Sequence, residues 1–458
     1  MKTLQLYLLF FTFLLVSCSH SGTTAQAQVQ KKISQFNNAG FCDFLIDKNG
    51  VYHAVFQETP DNGKPKFIYY ATSTNKGATW SKPVTLSNDN TGNGAGYPSI
   101  LQDASGRIYA IWKRYGSIER TLSDVSLDGP GGGEMGTLYY KVLSGGAWSN
   151  AIQLNEMIGA QQSWFATVAP TGVVCVFWTQ GDPAQVKQQH IASWYYCDYV
   201  RVATLNGASP SAYSDLTTPS QPADPKDFPP KQDGAINLNG YVDKAGKPHL
   251  IFEEIDAADK AQKIKYFDGA TQRYVYSYPK SGHANTYYNP PRLLVDEKGT
   301  DHVIFLPEPS TLESAQVWDI NLATNKTNVL TAVEKKGVSI YGYQARQGPN
   351  GQMAVVIEVG GWSGNWEAFG MFYTNGAWKN LGLTNNAAKE KFFSKDFIGV
   401  GGYLTNVAMS TTYRSNFASV AYDATGRKSM LMTIAEHAVG NGGYSTENPF
   451  ITYMQIDR

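Results

Sequence analysis

Residues 100–112 read ILQDASGRIYAIW, an apolar strand, a D-x-x-G turn closing on Gly106, and a second apolar strand. Glycine supplies the positive φ of a tight hairpin, and an aspartate at the first turn position can bond its own turn. The same pattern recurs as FLIDKNGVYHAVF (44–56), TVAPTGVVCVFW (167–178), GYVDKAGKPHLIF (240–252), LLVDEKGTDHVIF (293–305), RQGPNGQMAVVI (346–357) and VAYDATGRKSMLM (420–432). The turn glycines are Gly50, Gly106, Gly172, Gly246, Gly299, Gly351 and Gly426. Six residues after them stand Phe56, Trp112, Trp178, Phe252, Phe305, Ile357 and Met432. Five residues after them stand Val55, Ile111, Phe177, Ile251, Ile304, Val356 and Leu431. Adjacent strand residues point to opposite sheet faces, so both faces of each small sheet are predicted to be buried.

After each pair comes material for two more strands, as in KFIYYATST with TWSKPVTLS, GTLYYKVL with AWSNAIQL, and FGMFYT with AWKNLGL. Seven repeats of four strands predict an all-β, seven-bladed β-propeller of antiparallel blades over residues 31–458, without a second domain. The last repeat lacks an outer strand, and residues 31–35 are predicted to fill it and close the ring. Residues 206–231, rich in Pro, Ser and Asp, are then a long loop between the third and fourth repeats.

Residues 73–80, STNKGATW, resemble the Asp-box S-x-D-x-G-x-T-W of sialidase-like propellers, with Asn75 in place of the aspartate. Shortened versions stand at Gly145-Gly146-Ala147-Trp148 and Asn375-Gly376-Ala377-Trp378. The box has a structural role in that superfamily, a hairpin bonded by its own side chains, so the resemblance speaks to fold. A sialidase proper would also carry an Arg-Ile-Pro motif and an arginine triad. There is no Arg-Ile-Pro, and the first repeat has no arginine. In blade number the chain is more similar to the propeller polysaccharide lyases and rhamnosyl-uronate hydrolases, which place His, Tyr and Arg around a uronate.

Lys2 followed by the apolar run Leu4 to Val16 reads as an export signal. Leu15-Val16-Ser17-Cys18 resembles a lipobox, which implies acylation at Cys18 and a bacterial cell-envelope location, periplasmic or surface. Residues 19–30 read as a flexible tether. Lys plus Arg and Asp plus Glu both number 38, a balance that argues against nucleic acid as a partner. The expected state is a monomer with a glycan as partner and only a lipid anchor in the membrane. Cys42, Cys175 and Cys197 remain after Cys18, with no zinc-site spacing. Cys42 is expected to be free, and a Cys175–Cys197 bridge stays open.

Eight residues after the glycines stand Glu58, Arg114, Gln180 and Glu254, then Pro307, Val359 and Ile434. This polar arc on one face of the disc marks a candidate site. The loop 281–292, SGHANTYYNPPR, offers His283, Tyr287 or Tyr288, and Arg292. Elimination beside a uronate needs such a set: a base, a proton donor and a cation on the carboxylate. The proposed catalytic set is His283, Tyr288 and Arg114. Arg292, Glu58, Glu254, Gln180, Trp164 and Arg414 are assigned to substrate binding. A glycosidase would instead pair carboxylates, with Glu58, Glu254, Glu253 and Asp233 as candidates. His53, His249 and His302 share one strand position and are expected to be structural. His190 and His437 lie in loops after second strands, and Arg346, in a first strand, is expected to face the channel. Nothing calls for a cofactor or a metal. A non-catalytic glycan-binding lipoprotein is the alternative to an enzyme.

Overall fold

The computed structural model describes residues 28–36, 39–60, 66–87, 94–115, 136–155, 164–180, 199–217, 236–255, 261–279, 290–307, 315–333, 338–348, 351–361 and 366–380, and the strand segments 407–408, 418–422, 428–436 and 449–455. The regular structure of these residues is β, with no α-helix among them, and the strands form seven separate antiparallel sheets. No helix among the described residues is long and apolar enough to cross a membrane.

Each repeat builds one sheet. The first is Ala39–Ile46, Tyr52–Glu58, Phe67–Ser73 and Val84–Thr85, paired in that order. The turn glycines within the described residues, from Gly50 to Gly351, all have φ between 74° and 88°. At two of them packing adds a second demand. A Cβ on Gly172 would lie 2.1 Å from the Ala104 Cβ, and one on Gly351 would lie 2.1 Å from the Glu297 nitrogen. The turns of successive sheets thus rest directly on one another.

The predicted double burial is observed. Val55, on one face of the first sheet, packs with Ile100, Ile108 and Trp112 of the second. Tyr109 and Ile111, on the other face of the second, meet Val176 and Trp178 of the third. Phe177 meets Leu250 and Phe252 of the fourth, and Ile251 meets Val303 and Phe305 of the fifth. Odd positions after the glycine therefore pack forward and even positions backward. Full burial of each such side chain contributes about 1.5–3 kcal/mol.

The first strands of the sheets, Ala39–Ile46, Ala95–Gln102, Trp164–Val168, Ile236–Val242, Arg292–Val295, Val338–Gln347 and Ala418–Tyr422, lie side by side in chain order, and the last also lies against the first. No ladder joins them. Side chains satisfy their open edges instead: Asp43 accepts the Ile100 N–H at 2.9 Å, Asn239 the Leu293 N–H at 2.8 Å, and Gln347 the Val295 N–H at 2.7 Å. The N-terminal strand Gln28–Lys32 pairs antiparallel with Pro449–Gln455, Lys31 opposite Tyr453. It begins three residues before the segment 31–35 read from the sequence.

The hairpin at 73–80 is held by its own polar groups. Ser73 Oγ accepts the Gly77 N–H at 2.8 Å, and Asn75 Oδ1 accepts the Thr79 N–H at 2.8 Å. Asn75 Nδ2 donates to Thr79 Oγ1 at 2.8 Å, so the amide performs the turn-closing work of a carboxylate. In the shortened versions Trp148 packs edge-on against Tyr70 of the preceding sheet, and Trp378 donates its indole N–H to Asp319 at 2.8 Å.

Candidate functional site

The first strands of the first six sheets line a cavity of about 410 Å³. Asp43, Tyr97, Ser99, Trp164, Asn239, Arg292 and Arg346 are on its wall, among apolar side chains. Arg292 opens its strand, directly after Pro290 and Pro291. It is half-buried, and desolvation pulls its guanidinium down to about 10, still charged at neutral pH. Arg346 faces the cavity, as its strand position predicts, and forms an ion pair with Asp43. Asp43 also receives the Ser99 hydroxyl at 3.1 Å. Tyr343 is buried close behind; its hydroxyl donates within 2.6 Å of the Pro290 oxygen and 2.9 Å of the Ile304 oxygen.

The polar arc eight residues after the glycines is largely engaged in local structure. Glu58 is wholly buried and accepts the backbone N–H groups of Gln35, at 3.3 Å, and Phe36. Glu254 pairs with Lys265 Nζ at 2.6 Å and accepts the Tyr274 hydroxyl. Arg114 lies 5.6 Å over the Tyr139 ring, with Nη1 3.3 Å from its hydroxyl. None of the three is on the cavity wall, whereas Arg292 and Trp164 are. Trp164 is also part of the core between the second and third sheets. Gln180 ends its strand opposite Tyr199. His283, Tyr287, Tyr288, Arg414, His190, His437, Asp233, Cys18 and Cys197 lie outside the described residues.

Glu253, one position earlier, is wholly buried and bonded by the Asn237 amide. Gln57, Lys113 and Thr179 hold the equivalent place in the first three sheets and are also buried. The histidines three residues after the glycines bond to the turns and neighbouring strands. His249 Nδ1 is 2.9 Å from Asp301 Oδ2, which raises its pKa through that hydrogen bond. His53 shares a 2.7 Å bond with the Tyr70 hydroxyl, and burial lowers its pKa. Cys42 and Cys175 are buried and not disulfide-bonded, and Thr204 stands opposite Cys175. Among the described residues no group of His, Cys, Asp and Glu is arranged to hold a metal ion.

The sequence reading missed Asp43, Ser99 and Asn239. The signal was available: each is a polar residue opposite the fifth position after the glycine, on a strand whose neighbours are apolar.

No protein-family profile and no curated protein matches the chain. Among solved structures it is similar to a protein of unknown function from Dyadobacter fermentans (13% identity, 76% of this chain and 99% of that one, TM-score 0.45). It is also similar to the Penicillium chrysogenum α-L-arabinanase complexed with arabinobiose (13%, 73% and 94%, TM-score 0.42) and to the polysaccharide lyase Uly1 (11%, 74% and 77%, TM-score 0.43).

Proposed function

We propose that this chain is an exported, lipid-anchored, seven-bladed propeller that cleaves an acidic, uronate-containing polysaccharide by elimination or hydrolysis. In this reading Cys18 carries the anchor, and the strand Gln28–Lys32 completes the last blade through its pairing with Pro449–Gln455. The observation that carries the functional reading is Arg292. Its cation lies on the wall of the cavity, at the end of the segment that holds His283 and Tyr288. A guanidinium suits a uronate carboxylate, bidentate and charge-assisted.

In elimination, neutralising the carboxylate acidifies the C5–H. His283 takes that proton, the electron pair forms the C4=C5 double bond, the C4–O bond breaks, and Tyr288 protonates the leaving oxygen. Digestion of ulvan, pectin or arabinogalactan tests this by absorbance of the unsaturated product in the near ultraviolet. His283→Ala should reduce that signal about a hundredfold or more. Release of reducing ends without absorbance would assign hydrolysis. Retention of glycans without cleavage would assign a binding lipoprotein, a reading favoured by the engagement of Glu58 and Glu254 in structural bonds.

A further inference from the structure

Four of the first strands share an irregularity. The register shifts between Ala39 and Cys42, Gly96 and Ser99, Ile236 and Asn239, and Ile340 and Gly342. A bulge re-aims the side chains beyond it. In each of the first three cases the fifth-position partner follows at once: Asp43 opposite Val55, Ser99 opposite Ile111, Asn239 opposite Ile251. Arg292, opposite Ile304, occupies the same level in the fifth sheet. Tyr97, inside the second bulge, is held at a φ of 53°, which a non-glycine residue adopts only when its surroundings impose it. Four strands thus bring one level of polar side chains to one cavity.

The charges on the cavity wall do not cancel. Among the described residues the charged side chains there are Asp43 and Arg292 at that level and Arg346 two residues along its strand from it. Asp43 and Arg346 neutralise each other as an ion pair. Among the described residues the Arg292 guanidinium makes no hydrogen bond or ion pair. Asn239 uses its carboxamide oxygen on the Leu293 N–H, so its NH2 group is the end available as a donor. Trp164 and Tyr97 add aromatic wall, and about 410 Å³ falls within the ordinary range of small-ligand sites. A partly desolvated cation with no ion-pair partner among the described residues attracts an anion strongly in such a place.

We infer that the cavity binds the carboxylate of a single monoanionic sugar acid between the Arg292 guanidinium and the Asn239 amide, with the Asp43–Arg346 pair setting the net charge at plus one. The sugar-acid identity of the ligand rests on the functional reading above; the monoanion selectivity rests on the charge count alone. Among the described residues the wall has no second uncompensated cation, so a dianion would enter with one charge unmatched.

Titration calorimetry on the full chain, at constant ionic strength, tests the inference with galacturonate, galactose and inorganic sulfate as probes. Galacturonate should bind at least about tenfold tighter than sulfate, and galactose should give no detectable heat. Arg292→Gln should weaken galacturonate at least about tenfold, the usual worth of a charge-assisted bond, and Asn239→Leu by less. Asp43→Asn should raise the net charge by one and narrow or reverse the preference over sulfate. Thermal melts identify any variant that fails to fold, and Arg292→Lys, which keeps the charge, should retain part of the affinity. Equal binding of galactose and galacturonate, no galacturonate binding, or an Arg292→Gln variant that folds and binds normally overturns the inference. Cleavage of polymer without Arg292-dependent galacturonate binding defeats the inference alone. Galacturonate binding without cleavage of any polymer defeats the enzymatic reading alone.

Discussion

His302 Nδ1 lies 2.8 Å from Asp319 Oδ1 in the fifth sheet, both side chains at 1% exposure or less. His302 Nε2 faces Asp296 Oδ2 of its own turn at 3.6 Å. Desolvation pulls the imidazole pKa down, but the bond to Asp319 and the charges of Asp319 and Asp296 outweigh it, and the net shift is upward from 6.5. A raised histidine pKa stabilises the protonated fold. That contribution is fully present below about pH 6.5 and disappears as pH rises through the folded value. Urea unfolding of the wild type and of His302→Gln at pH 6 and pH 8 should show the gap between them narrowing at the higher pH. His249, also raised, and His53, lowered, titrate alongside, so the difference between the two proteins is the quantity to read. A gap that widens with pH would contradict the assignment. Asp319→Ala, which also strips the acceptor from Asn328 and Trp378, should cost about 3–5 kcal/mol.

The hairpin at 73–80 predicts a small asymmetry. Asn75 uses its oxygen on the Thr79 N–H and its NH2 on the Thr79 hydroxyl. Aspartate could accept both, because the hydroxyl can turn its proton around. Asn75→Asp should therefore change stability by less than about 0.5 kcal/mol, whereas Asn75→Ala should cost about 1–2 kcal/mol in lost turn bonds. Chemical denaturation of the two variants settles it, and a large loss in Asn75→Asp would show that the amide donor is indispensable.

Cys42 and Cys175 are packed in separate cores, with burial raising the Cys175 thiol pKa. Cys175 is therefore not a ready thiolate. Cys175 should react with a thiol reagent only as fast as the protein unfolds, and both cysteines should be countable once denaturant is added without reductant. Rapid labelling of Cys175 in the native protein would show that the third sheet opens locally.

The sheets were legible because their determinants are local and repeated. Gly50, Gly106 and Gly172 fix the hairpins, and the apolar fifth and sixth positions declare two buried faces. The cavity was less legible, because its polar residues break the repeat. The column holding Glu58 and Glu254 looked functional by its polarity, yet a strand end also needs acceptors for neighbouring N–H and Lys groups, and both carboxylates serve there. Asp43 and Asn239 were hidden by bulges, which displace a residue from the simple alternation by which strand faces are read. Arg292 was found for its chemistry, and its cavity position depends on sheets that are distant in sequence.

Glu58 separates the structural reading of the polar column from the functional one. Its carboxylate is wholly buried and accepts the Gln35 and Phe36 N–H groups, just beyond the strand that pairs with the chain's last strand. Glu58 thus fastens the N-terminal segment to the first sheet, and through it the last sheet to the first. Glu58→Ala should leave two N–H groups without their acceptor, at a cost of about 2–4 kcal/mol, and Glu58→Gln should recover part of it. Removal of residues 28–36 should destabilise in its turn, and the two changes together should cost clearly less than their sum, since they break one connection. Galacturonate affinity of the folded Glu58→Ala protein should stay within about twofold of wild type. If that affinity collapses while the unfolding midpoint stays put, Glu58 belongs to the ligand site and not to the link between residues 35–36 and the first sheet.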